Sequence, residues 1–184
     1  MNKIGTQRIE TERLILRRFT TKDARDMFEN WANDPEVTAF LTWETHKTVE
    51  DSKQILSLWI PEYEKGDFFN WAMELKESGA VIGNISVVKT DEQVGSAEMG
   101  YCMGRAYWGK ELMPEALRAV MDFLFDRVGC DRVCAKHDAR NPKSGRVMQK
   151  AGMRFEGVLR QAGKSNAGIC DEVVYAMLRS DRKQ

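Results

Sequence analysis

The chain has 184 residues, 42% hydrophobic and 30% charged, which is enough for one ordinary globular core. Its 28 basic and 28 acidic residues cancel, so neither a nucleic acid nor an anionic membrane surface is implied as a partner, and local charge must steer any ligand. The opening MNKIGTQRIE lacks the apolar stretch of a signal peptide, and no run approaches the ~20 apolar residues that span a bilayer, so a cytoplasmic protein with a single domain over residues 8–180 is expected.

Residues 13–18 read as a first strand. A helix follows, with Ala24, Met27, Phe28 and Trp31 on one face and Thr20 and Asp23 as its capping signal. A second helix begins after Thr48, carries Ile55, Leu56 and Trp59 on its apolar side and ends near Pro61. The segment between them, NDPEVTAFLTWETHK, reads as loop. Phe69, Trp71, Met73 and Leu75 then alternate as a strand, residues 81–88 are rich in β-branched residues, and a turn over 91–95 leads to a third strand of this antiparallel meander, with Ala97, Met99, Tyr101 and Met103 alternating. Met113, Ala116, Leu117, Val120, Met121 and Leu124 recur at helical spacing, and Pro114 is tolerated in the first turn of that helix. A strand over 132–136, a short helix from Pro142 to Gly152, and strands around 153–159 and 171–178 complete the order. The expected fold is a mixed, mostly antiparallel central sheet flanked by helices, an α+β arrangement.

The strand-to-helix turn carries the strongest functional signal, because a Gly and basic turn opening a helix presents unpaired amides to an anion. Gly104, Gly109 and Lys110 satisfy the GxxxxGK part of a nucleotide P-loop, but Glu111 stands where a magnesium-binding Ser or Thr is needed. A P-loop domain would also alternate strands and helices from its start, and this chain begins with a meander. A nucleotide hydrolase is therefore the weaker reading. Cys102, Cys130, Cys134 and Cys170 lack CxxC spacing and the only histidines are His46 and His137, so no metal is expected; the thiols read as reduced core residues.

The segment AEMGYCMGRAYWGKELMPEALRAVMDFLF resembles the acyl-CoA pyrophosphate motif of the GNAT acetyltransferases, and most of all their ribosomal-protein N-terminal acetyltransferase branch. Asn141-Pro142-Lys143-Ser144 followed by GRVMQKAGMRFEGVLR is similar to the family's asparagine turn, short helix and closing strand. Ala106 and Glu111 depart from the family's usual loop. The resemblance implies the GNAT fold, with two middle strands splayed apart, and acetyl-CoA as cofactor held by Cys102, Met103, Trp108, Gly109, Lys110, Glu111, Leu112, Met113, Asn141 and Ser144. It implies transfer of acetyl to a protein N-terminal amine or a small amine; a silent acyl-CoA-binding module is the alternative from another class. The oligomeric state stays open, a homodimer included.

Acetyl transfer from a thioester needs a neutral amine, a polarised carbonyl and a protonated leaving sulfur. Glu98 is the candidate base, or else a strand carboxylate held by a basic neighbour. Ser144 is the candidate donor to the sulfur, or else a first-turn residue that starts the short helix. Asn141 reads as a helix cap, whereas the resemblance implies a bond to the pantetheine arm. His137 reads as structural. Of the aromatic group, Phe40 and Trp43 are the candidate acceptor-binding residues because they lie in the loop, while Trp31, Trp59 and Trp71 read as core.

Overall fold

The computed structural model describes residues 1–182. Eight strands form one sheet: β1 (Ile9–Glu10), β2 (Leu14–Arg17), β3 (Asn70–Leu75), β4 (Val81–Asp91), β5 (Ser96–Met103), β6 (Arg132–Asp138), β7 (Arg154–Ser165) and β8 (Gly168–Leu178). Their order across the sheet is β1-β2-β3-β4-β5-β6-β8-β7, and every neighbouring pair is antiparallel except β5 with β6. Antiparallel neighbours need only short turns, but a parallel pair requires a crossover, supplied here by α4 (Leu112–Phe123).

The helices divide between the two faces. α4 buries Leu112, Met113, Ala116, Leu117, Val120 and Met121 in one core with Leu14, Trp71, Met73, Ile85, Met99 and Val133. On the other face α1 (Ala24–Met27) and α3 (Val49–Glu62) bring Met27 and Leu56 against Ala72, Val81 and Cys102. Alternate residues of one strand thus enter different cores. Asp23 accepts from the Thr20 amide at 2.7 Å and hydroxyl at 3.1 Å, the expected start of the first helical segment. That segment passes through a wider π-turn at Phe28–Ala32, which places Trp31 in the core at 0% exposure.

β5 and β6 pair only from Ser96–Arg132 to Met99–Ala135. Beyond that point β5 stays paired to β4 alone and β6 to β8 alone, so the two middle strands diverge as the resemblance implied. α5 (Pro142–Lys150) starts at the mouth of this split.

The structure corrects several sequence expectations. Part of the expected loop forms α2 (Pro35–Thr38), capped by the Asp34 side chain on the Glu36 amide. β1 went unread, being two residues long. β6 extends to Asp138, and β7 reaches Ser165 instead of stopping near 159. The β7 register breaks between Leu159 and Gly163, and the long exposed strand carries no alternation by which to see it.

Gly104 follows β5 where the chain passes under the π-turn Phe28–Ala32. A Cβ there would collide with the carbonyl oxygen of Asn30, whose side-chain amide donates to Val81 O at 2.7 Å. Gly104→Ala should therefore cost about 1–3 kcal/mol and lower the melting temperature by about 2–4 °C per kcal/mol, read by thermal denaturation. An unchanged melting temperature would show that the π-turn yields freely.

Candidate active site

The turn from β5 into α4 leaves a row of donors. Trp108 Nε1 donates to Met103 O at 2.7 Å and holds the start of the turn. Gly109 at φ 76° and Glu111 at φ 63° are both left-handed, next to a helix start, which are the ingredients of an anion-binding nest. Among the described residues, the amides of Gly109, Lys110, Glu111, Leu112 and Met113 donate to no protein oxygen, and the helical ladder begins only with Glu115 N–H to Glu111 O at 3.2 Å. A Cβ on Gly109 would meet nothing within 4 Å, so the space beside it is open. The Glu111 carboxylate pairs with Lys150 Nζ at 2.5 Å. Lys143 Nζ lies 4.7 Å from the Trp108 ring centre.

A cleft of about 620 Å³ reaches the split from the α1–α3 side. On its inner wall the Tyr101 hydroxyl lies 3.0 Å from Ser144 Oγ and 3.1 Å from the Ser144 carbonyl oxygen. Burial pushes the Tyr101 phenol above its ordinary value, against the Ser144 bond, so it stays protonated. The one hydrogen of Tyr101 has two acceptors in reach: given to the Ser144 carbonyl oxygen it turns the serine hydrogen back to Tyr101, and given to Ser144 Oγ it leaves the serine hydrogen for a third atom. Asn141 sits at the head of α5, yet its side chain makes no capping bond, and it lines the cleft.

Glu98 lines the cleft two residues from Gly100. Lys136 Nζ stands 3.3 Å from Glu98 and 3.7 Å from Glu172. Burial works against the charge on Lys136, but the two carboxylates outweigh it and raise its pKa. The carboxylate expected as a base thus does have the basic neighbour of the alternative reading. Phe40 and Trp43 line the opposite wall, both half-buried. The β7–β8 turn closes that wall: Asn166 Nδ2 donates to Thr38 O at 2.9 Å and Trp43 O at 2.7 Å, and the Asn166 and Ala167 amides donate to Leu41 O and Ala39 O, each at 3.0 Å. At the base of the hairpin, Arg140 and Ser165 Oγ converge on buried Asp138.

His137 Nδ1 donates to the Asp138 carbonyl oxygen, 2.8 Å away, and the ring stacks on Tyr175, in keeping with a structural role. Trp71 is fully buried. Burial raises all four thiols, Cys102 to about 12, so none is a ready thiolate. The sequence reading missed Asn70, Asn84, Tyr101, Lys136 and Glu172. Tyr101 was visible as the one hydroxyl in the alternation of β5; Lys136 and Glu172 meet Glu98 only through strand pairing.

A mixed sheet split beside an open row of helix-start amides offers a seat for a phosphate-bearing ligand that lies along the split. A model described as acetyltransferase (GNAT) domain matches residues 13–154, and the chain belongs to this family. It is 28% identical over 171 residues to the uncharacterized N-acetyltransferase p20 of Bacillus licheniformis, covering 93% of this chain and 96% of that protein. The ribosomal-protein-S5-alanine acetyltransferase of Vibrio fischeri superposes with a TM-score of 0.82 at 22% identity, covering 97% of this chain and 100% of that one. The microcin C7 self-immunity acetyltransferase MccE, solved with acetyl-CoA and AMP, superposes with a TM-score of 0.81 at 19% identity, covering 91% and 93%. Open amides at 109–113, with no side chain on Gly109, fit the pyrophosphate of acetyl-CoA.

Two tests follow from this geometry. Glu111→Gly relieves a left-handed non-glycine residue and removes only an exposed ion pair, so stability should stay within about 1 kcal/mol and CoA affinity within about fivefold. Gly109→Val should weaken CoA more than about tenfold in calorimetric titration, and equal affinities would remove the loop from the site. Separately, Asp138 is held well below the usual carboxylate range by the Arg140 hydrogen bond, against burial and with help from Ser165. Its contribution to stability is present in full above the unfolded value of about 3.9 and is lost as pH falls below it. Asp138→Asn should flatten that acid limb in pH-dependent melting; an identical limb would discharge Asp138.

Proposed function

We propose that this chain transfers the acetyl group of acetyl-CoA to a primary amine, with a protein N-terminal α-amine the preferred acceptor and a small-molecule amine the alternative, as one domain over residues 8–180 in the cytoplasm. The observation that carries the reading is the junction of two halves at one point: the open amides at 109–113 lie beside a split whose other side is a cleft holding Glu98, Tyr101 and Ser144. Likeness in fold to an S5-alanine acetyltransferase supports the α-amine.

When bound, acetyl-CoA supplies the activated acetyl thioester. Gly109, Lys110, Glu111, Leu112 and Met113 would hold its pyrophosphate through main-chain amides, with Trp108 fixing the turn. Cys102 and Met103 would meet the pantetheine arm along the unpaired side of β5, and Asn141 would bond it with the side-chain amide that caps nothing. Ser144, positioned by Tyr101, would offer its O–H as a hydrogen bond to the sulfur as that atom gains charge, and the proton the thiolate finally takes would replace the one lost by the amine. Glu98 accepts the proton of the incoming amine, directly or through water, while Lys136 holds the carboxylate in place. An α-amine, with pKa about 7.7–8.0, is already partly neutral near pH 7, whereas a lysine near 10.4 is harder to deprotonate. Phe40 and Trp43 form the acceptor wall.

Acetyl-CoA or CoA at 100 times its Kd should stabilise the protein by ~2.7 kcal/mol, seen as a rise in melting temperature, and ATP with magnesium should not. Glu98→Gln and Ser144→Ala should each lower kcat by ~10²- to 10⁴-fold with little change in the KM for acetyl-CoA. Higher pH should partly restore Glu98→Gln by supplying neutral amine. A shift with ATP-magnesium alone would overturn the cofactor, and full activity of Glu98→Gln from about pH 6 to 9 would leave Glu98 a structural carboxylate.

A further inference from the structure

Asn70 opens β3, is 2% exposed, and lines the cleft. Its main chain is clamped: the amide donates to Thr6 Oγ1 at 2.8 Å and the carbonyl accepts from the Tyr63 hydroxyl at 2.8 Å. Its side-chain oxygen accepts from Asn84 Nδ2 at 3.0 Å, and the Asn84 oxygen accepts from the Cys102 thiol, also at 3.0 Å. The far end sets the direction of this relay, because the buried, protonated Cys102 thiol is the donor in its bond to Asn84. Cys102 gives to Asn84, Asn84 gives to Asn70, and the Asn70 NH₂ is left with two hydrogens and no protein acceptor. Every fully enclosed side-chain nitrogen and oxygen among the described residues has a partner, so this NH₂ faces the open cleft.

Strand register locates the donor relative to the chemistry. Asn70 lies opposite Ser86, and Ser86 opposite Gly100, so the three share one face in a row that leads to the split. Gly100 adds no side chain of its own to the row, Val88 Cγ1 lies over it, 2.8 Å from where its Cβ would stand, and Glu98 lies two residues along the same face. At ~4.8 Å per strand, Asn70 is ~10 Å from β5.

We infer that Asn70 reads the acceptor, its NH₂ donating to an oxygen of an extended peptide whose N-terminal amine lies at the split. The assignment rests on the acetyl-transfer reading above. An extended chain advances ~3.3 Å per residue, so ~10 Å is the reach of the third residue. A pure donor at that distance suits a carbonyl or carboxylate oxygen and opposes a second ammonium, which separates a peptide from a polyamine. Because the clamps on Asn70 exist before any ligand arrives, little ordering is required on binding.

The test compares alaninamide, tetra-alanine amide and spermidine as acceptors with acetyl-CoA. In the parent protein the KM should be lower for tetra-alanine amide, which extends past the third residue, than for alaninamide, which does not. Asn70→Asp keeps the shape and the bond from Asn84 but offers the cleft no N–H, and Asn70→Ala removes the group without adding charge. Each should raise the KM for tetra-alanine amide by roughly tenfold or more, leaving kcat, the KM for alaninamide and the KM for acetyl-CoA within about twofold. Equal increases for both peptides, or none, would overturn the assignment. So would a flat length series in the parent protein, which needs no variant to fold. A parent protein that acetylates spermidine and no peptide overturns the role of Asn70 while acetyl transfer stands; one that acetylates none of the three overturns the transferase reading as well.

Discussion

The parallel ladder between β5 and β6 ends after four residue pairs, and the rest of the molecule is arranged around that ending. Two strands in the middle of a sheet lose main-chain partners when they part, and an enclosed polar group left unsatisfied costs about 1–3 kcal/mol. Some of these groups find substitutes: Met103 O takes the Trp108 indole, and the Asn141 amide closes on Asp138 O at 2.7 Å. α5 acts as the wedge. It leans on β5 through Tyr101 and Ser144, and on β6 through Gly145, where a Cβ would collide with the His137 ring. The remaining open groups line a slot that an amide-bearing arm can satisfy.

Because strand residues alternate, the slot separates two tasks. Met99, Tyr101 and Met103 belong to the side of α4, whose helix start offers amides to an anion, while Glu98, Gly100 and Cys102 belong to the side of α1 and α3. Ser144 stands where the two sides meet. The Lys136 ammonium between Glu98 and Glu172 ties β5, β6 and β8 together across the divergence, so the base candidate is held by the strands whose parting creates the site.

How much of this was legible depended on whether the signal was local. The passage from β5 into α4 could be read because the hydrophobic period changes from two to helical at a glycine turn, and because the motif there resembles a known family. The short α2 carried its signals, Asp34 before Pro35, but four residues are too few to show a period. β7 was cut short because a twelve-residue edge strand, exposed over nearly its whole length and bulged between Leu159 and Gly163, has no alternation to reveal. Asn70 and Asn84 look like ordinary strand residues until the register stacks them in a line with Cys102. Long-range pairing, not residue type, made them a relay.

The Asn166 turn has a consequence for how such a scaffold diversifies. All four of its bonds end on main-chain carbonyls of residues 38, 39, 41 and 43, so the latch ignores which side chains that loop carries. The main chain beneath Phe40 and Trp43 is therefore held whichever side chains those positions carry. A gene lineage, or a protein engineer, can change what this face of the cleft presents while the far side is inherited intact.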